Sequence, residues 1–204
     1  MSGFYPKNPA LGQVIQSDVP GNNPDSAFPV HLEWTALEAL AALTTGVHAA
    51  VTDNGAQQEI TTAITNPGVP RNISATAGGT AGDIKAITVT IVGTNILDEA
   101  ISEVLPVFTV DTAGTVLGNK AFKTVTKITI PAHDGTAATT AIGWGDKLGL
   151  PYMEEEIPCI ASFLNSVLEA TAATIAASLT AIESNTIDLS SALNATKVDA
   201  YLIV

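Results

Sequence analysis

From about residue 34 to 152, runs of threonine, valine and isoleucine are broken at short intervals by glycine, asparagine and aspartate. Ile87, Val89 and Ile91 alternate with Thr88 and Thr90, which places three large apolar groups on one face of a strand. Phe122, Thr124, Thr126, Ile128 and Ile130 form a second such face, with Lys123, Val125 and Lys127 pointing the other way. Asp53-Asn54-Gly55 separates residues 47–52 from residues 57–65 and predicts a β-hairpin, because Asn-Gly accepts the positive φ of a type I′ turn. Further turns are predicted at Gly78-Gly79-Thr80-Ala81-Gly82, Gly93-Thr94-Asn95, Thr112-Ala113-Gly114-Thr115, His133-Asp134-Gly135 and Gly143-Trp144-Gly145-Asp146. Short strands at this spacing predict a mainly β protein, an antiparallel β-sandwich or a barrel-like domain.

Two stretches carry a helical signal. Residues 32–43 are rich in Ala, Leu and Glu, and Leu37, Leu40, Ala41 and Leu43 line one helical face, so one short helix is expected there. Residues 160–182 are alanine-rich, but Thr171, Thr174 and Thr180 are poor helix formers, and mostly strand is expected. Strands are also expected at 185–189 and 198–204, since a chain end reading Tyr-Leu-Ile-Val needs burial in a sheet.

The first 33 residues read as an extended, proline-rich arm, with Pro6, Pro9, Pro20, Pro24 and Pro29 removing backbone donors. Phe4, Tyr5, Leu11, Val14, Ile15 and Phe28 are spaced along it as apolar anchors for a partner surface, with Trp34 at its root. A β-rich domain follows at 34–204, with a possible subdivision near 152–160.

Composition narrows the function. The 204 residues carry 20 acidic and 8 basic side chains, for a formal charge of −12, and 46% of them are hydrophobic. That apolar content supports a folded core and argues against intrinsic disorder. Arg71 is the only arginine and the lysines are scattered, so no basic surface faces phosphates, and neither nucleic acid nor an anionic membrane is expected as a partner. Cys159 has no partner in the chain. The N-terminus lacks a basic region followed by an apolar block, and the uncharged, Ala/Thr-rich run at 170–182 is shorter than the roughly 20 residues of a spanning helix. Synthesis in a reducing cytoplasm is expected.

Candidate chemistry is sparse. The loop at 78–82 lacks the Gly-Lys-Ser/Thr ending of a phosphate loop. His31, His48 and His133 lie far apart without metal-ligand spacing and read as ordinary strand or surface histidines. His133-Asp134 is adjacent in sequence, which disfavours a catalytic hydrogen bond between the two. Glu154-Glu155-Glu156 reads as a solvated linker face, and Cys159 as a small buried hydrophobe. No catalytic constellation, cofactor or metal is expected.

Three phrases carry a resemblance: Asn66-Pro67-Gly68-Val69-Pro70-Arg71-Asn72, residues 118–128 beginning Gly118-Asn119-Lys120, and Gly143-Trp144-Gly145-Asp146-Lys147-Leu148-Gly149-Leu150-Pro151. With them, roughly 46–204 resembles β-rich structural proteins of the head and tail gene modules of tailed bacteriophages and prophages. The resemblance implies a virion component without enzymatic activity. It is expected on the capsid surface as a decoration protein that binds the major capsid protein and associates with itself, for example as a trimer. Alternatives are a tail tube, fibre or baseplate β-domain, and a host-surface glycan-binding module in which Glu154, Glu155, Glu156 and Trp144 serve. The arm falls outside the resemblance.

Overall fold

A computed structural model describes residues 28–204. The chain is mainly β and every strand pairing is antiparallel. The strands are β1 (Pro29–Trp34), β2 (Leu43–Thr52), β3 (Gln58–Ile60), β4 (Arg71–Gly79), β5 (Thr90–Thr94), β6 (Ala100–Val104) and β7 (Gly114–Phe122). They continue with β8 (Thr124–Ile130), β9 (Ala138–Gly149), β10 (Cys159–Leu164), β11 (Val167–Leu168), β12 (Thr174–Ala176), β13 (Thr186–Asp188) and β14 (Val198–Ile203). Three sheets result, ordered β1-β14-β10-β11, β12-β13-β9-β4-β7 with β2 also on β9, and β3-β8-β5-β6. No helix among the described residues is long and apolar enough to cross a membrane.

The twelve-residue β9 is the spine. One edge pairs with β4 throughout, whereas the other is shared by β2, against residues 139–144, and β13, against 148–149. Two apolar cores form around it. The first packs Val47, Ile73, Ile142 and Trp144 against Ile91, Val125, Ile128 and Ile130 of the third sheet. The second packs Leu148, Leu150 and Ile187 with Trp34, Val198, Ala200 and Leu202 of the first sheet. The two cores therefore part within β9, between Trp144 and Leu148.

Alternation located one buried face correctly, and the expected C-terminal strand forms. Ile87, Val89 and Ile91 are all buried, and the chain end forms β14, central in its sheet. The stretch 160–182 contains strands β10, β11 and β12 and no α-helix.

Five expectations are corrected. Residues 32–43 do not form a helix. Leu32 and Trp34 belong to β1, and Thr35 to Ala39 make a single turn in which Ala39 N–H donates to Thr35 O at 2.9 Å. Glu38 caps that turn by accepting from Thr35 N–H at 2.8 Å. The turn stops because the next residues enter β2, leaving Leu37 82% exposed.

Asp53-Asn54-Gly55 does turn the chain, with Gly55 at φ 77°. It makes no hairpin, because β2 pairs with β9 and β3 pairs with β8 in another sheet. A Gly-containing turn reverses the chain locally, but strand pairing is decided by where each apolar face finds a core.

Gly143-Trp144-Gly145-Asp146 is not a turn but the middle of β9. Its glycines serve close approach: a Cβ on Gly143 would stand 1.8 Å from Leu43 O, and one on Gly145 would stand 2.6 Å from Asn72 Oδ1.

Along β8 the predicted face breaks at a β-bulge, where Val92 and Gly93 oppose Lys127 and Val125. The extra residue, Thr126, is exposed and Val125 is 3% exposed, since one inserted residue reverses the side-chain phase.

Residues 29–33, assigned to the arm by composition, form β1. Pro29 is tolerated because it is the first residue of an edge strand. Phe4, Tyr5, Leu11, Val14 and Ile15 lie outside the described residues. Phe28 is half-buried and extends the ladder, donating to Val204 O at 2.6 Å and accepting from Val204 N–H at 3.0 Å. Trp34, at the root of the arm, is 8% exposed and packs into the second core.

Candidate functional site

Among the described residues, three clusters of charged and polar side chains are candidates for a site. The first lies where the two cores part. Arg71 is buried at the start of β4 and donates from Nε to Gly145 O at 3.0 Å. Its Nη2 stands 3.5 Å from Asp146 Oδ1, and the guanidinium lies 5.9 Å from the Trp144 ring centroid. Burial pulls the guanidinium pKa down to about 10, with Asp146 opposing. Burial likewise pushes the Asp146 carboxyl up, against the pull of Arg71. Beside them, fully buried Asn72 spans bulges in both neighbouring strands, donating to Gly118 O at 3.0 Å and accepting from Lys147 N–H at 3.1 Å. Among the described residues, no buried side-chain nitrogen or oxygen of this seam lacks a hydrogen-bond partner, which suits a structural joint.

The second is His133, 6% exposed. Its Nδ1 accepts from Lys85 N–H at 3.2 Å, so Nε2 carries the proton and donates to Thr140 Oγ1 at 3.0 Å. Asp53 receives His133 N–H at 3.0 Å and Gly55 N–H at 2.7 Å. Burial lowers the imidazole pKa, with Asp53 and Asp134 pulling it up. Asp134 pairs instead with Lys85 at 3.0 Å. The adjacent His133 and Asp134 thus serve separate partners.

The third is the outward face of the first sheet. Residues 30, 32 and 34 of β1 point to the second core, so His31 and Glu33 point out, beside Tyr201 and Asp199 of β14. His31 Nε2 lies 2.7 Å from Asp199 Oδ1, and Lys197 Nζ lies 2.8 Å from Glu33 Oε2 and 3.1 Å from Asp199 Oδ1. The His31 ring stacks on Tyr201 with centroids 4.5 Å apart and planes within 8°, and Phe163 meets Tyr201 edge-on at 5.9 Å. Burial pushes the Asp199 carboxyl up, but its bonds from His31 and Lys197 outweigh that and hold it below the usual range. Sequence spacing gave no sign of this cluster, because His31 and Asp199 are 168 residues apart. Only the Asp199 end, at 198–204, read as strand, while His31 and Glu33 fell in the stretch read as an extended arm.

The remaining sequence candidates separate. Glu154, Glu155 and Glu156 are exposed on the linker before β10. Cys159 is half-buried, and burial raises its thiol pKa. With Ile157, Ala173 and Ile175 it lines an open groove of about 380 Å³. Trp144 is buried, with its Nε1–H donating to Ala41 O at 3.2 Å, so its ring offers no platform to a sugar. Tyr201 is likewise stacked on by His31. No protein-family model, curated protein or solved structure matches the chain.

Proposed function

We propose that the chain is a structural protein of a tailed-bacteriophage virion, a capsid decoration protein that binds the major capsid protein as a homo-oligomer. The observation that carries this reading is a ridge of three valines, Val104, Val107 and Val110, exposed at 62%, 53% and 51%. Leu105 and Phe108, between them, are buried in the first core. The backbone beneath is fixed by three hydrogen bonds: Leu105 N–H to Val89 O at 2.8 Å, Phe108 N–H to Ile87 O at 3.1 Å and Asp111 N–H to Ile84 O at 3.0 Å. Apolar groups held outward on an ordered backbone lose little entropy when a partner covers them. The turn-and-strand phrases at 66–72, 118–128 and 143–151 support the virion context, and the charge of −12 disfavours DNA and keeps free subunits soluble before docking.

The test mixes purified protein with expanded empty heads and measures occupancy by co-sedimentation and cryo-EM. Saturable head binding is expected, lost when Val104, Val107 and Val110 are all changed to Ser without loss of folding. Deleting residues 2–27, which leaves the Phe28–Val204 pairing intact, measures the share of the N-terminal anchors. Absence of head binding, with density on tails instead, overturns the capsid assignment in favour of a tail component.

A further inference from the structure

We propose that His31, Glu33 and Asp199 form a surface site for a divalent transition-metal ion of the zinc type, in which Lys197 holds the cation's place until the ion displaces it. One ligand atom from each of the three residues lies within 4.8 Å of the others. The pairing of β1 with β14 fixes the arrangement: Glu33 stands opposite Asp199 in register, and His31 is two residues along the same face. Ligand atoms around a tetrahedral ion of this kind sit about 3.3–3.6 Å apart for bonds of about 2.0–2.2 Å. His31 Nε2 and Asp199 Oδ1, now hydrogen-bonded at 2.7 Å, need to part by less than about 1 Å to admit the ion between them. Stacking on Tyr201 holds the imidazole plane.

The donor set selects the ion. One imidazole nitrogen with two carboxylate oxygens suits zinc and its neighbours, whereas calcium and magnesium take oxygen-only shells. Lys197 marks where positive charge is stabilised, since its ammonium lies between Glu33 and Asp199. The Lys197 and Glu33 side chains are 43% and 48% exposed, so the first has room to swing into water and the second to turn toward an ion. Three protein ligands leave coordination positions open to water. An ion bound here ties β1 to β14, where the N-terminal segment joins the folded body. This site is independent of the proposed docking ridge.

The test is calorimetric titration of the full chain with zinc chloride alone, with calcium chloride as control. Saturable one-to-one zinc binding is expected, with none for calcium. Affinity should fall at least tenfold in His31→Ala and in Asp199→Asn and stay unchanged in His48→Ala. It should rise at least tenfold in Lys197→Met, because the competing ammonium is gone. Zinc should raise the melting temperature of wild type and Lys197→Met but not of His31→Ala. If Asp199→Asn fails to fold, His31→Ala carries the ligand test, since the His31 ring is exposed. The proposal is overturned if neither wild type nor Lys197→Met binds zinc saturably, if His31→Ala binds as wild type does, or if Lys197→Met binds no tighter.

Discussion

The Glu103 carboxylate accepts a hydrogen bond from Asn119 N–H at 2.7 Å, and so ties β6, at the edge of one sheet, to the bulged stretch of β7, at the edge of another. The same carboxylate receives Lys120 N–H at 3.3 Å. Both donors fall where β7 departs from register with β4, so the ladder leaves them without a strand partner. Glu103→Ala should therefore cost about 1 kcal/mol, the scale of a lost charge-assisted bond at a half-exposed site. Urea denaturation measures it.

Burial raises the Glu103 pKa above the ordinary 4.5, outweighing the bonds from Asn119 and Lys120 and the charges of Lys120 and Lys147. A carboxyl raised in the folded state contributes stability that is fully present below its unfolded pKa and is lost as pH rises through the folded one. Glu103→Gln removes that loss while keeping an acceptor. The stability of Glu103→Gln relative to wild type should grow from acid to neutral pH, and a constant difference would refute the assignment.

His133 gives the opposite acid signature. Its pKa is lowered chiefly by burial, so its contribution is fully present above 6.5 and declines as pH falls toward the folded value. Protonation also removes the acceptor that Lys85 N–H uses. His133→Gln should flatten the fall in melting temperature between neutral and mildly acid pH, whatever its effect on absolute stability.

At the seam, Arg71→Met should cost about 3 kcal/mol, since it orphans Gly145 O and leaves Asp146 without its cation. Arg71→Lys should recover only part, because an ammonium cannot reproduce the planar guanidinium that reaches Gly145 O and Asp146 while lying near the Trp144 ring. Chemical denaturation of the two variants side by side tests this.

Gly143→Ala should destabilise by about 3 kcal/mol or more, because the new methyl would lie 1.8 Å from Leu43 O and push β2 off β9. Gly68→Ala is the matched control, with nothing within 4 Å of its added Cβ, and should fall within about 0.5 kcal/mol of wild type. Equal melting temperatures for the two would reject close packing as the reason for glycine in β9.

These contrasts show how far local pattern reaches. Ile87, Val89 and Ile91 were readable as one buried face because alternation within a strand is a local geometric fact. The same logic failed at Val125 and Thr126, where a bulge set by the partner strand β5 inverts the phase. Gly143 to Asp146 read as a turn because glycine signals both a reversal and a close backbone approach, and only the neighbours Leu43 and Asn72 decide between them.

The amino-acid sequence alone determined that this chain is an antiparallel β protein with a terminal strand that must be buried, because period-two burial and β-branched residues act within a few neighbouring positions. Tertiary structure decided which strands meet. The Asn54-Gly55 turn switches sheets rather than closing a hairpin, since β3 finds its partner in β8, far along the chain. It alone placed His31 and Glu33 beside Asp199, because contacts between the two ends of a chain depend on strand order and register, which no local spacing encodes.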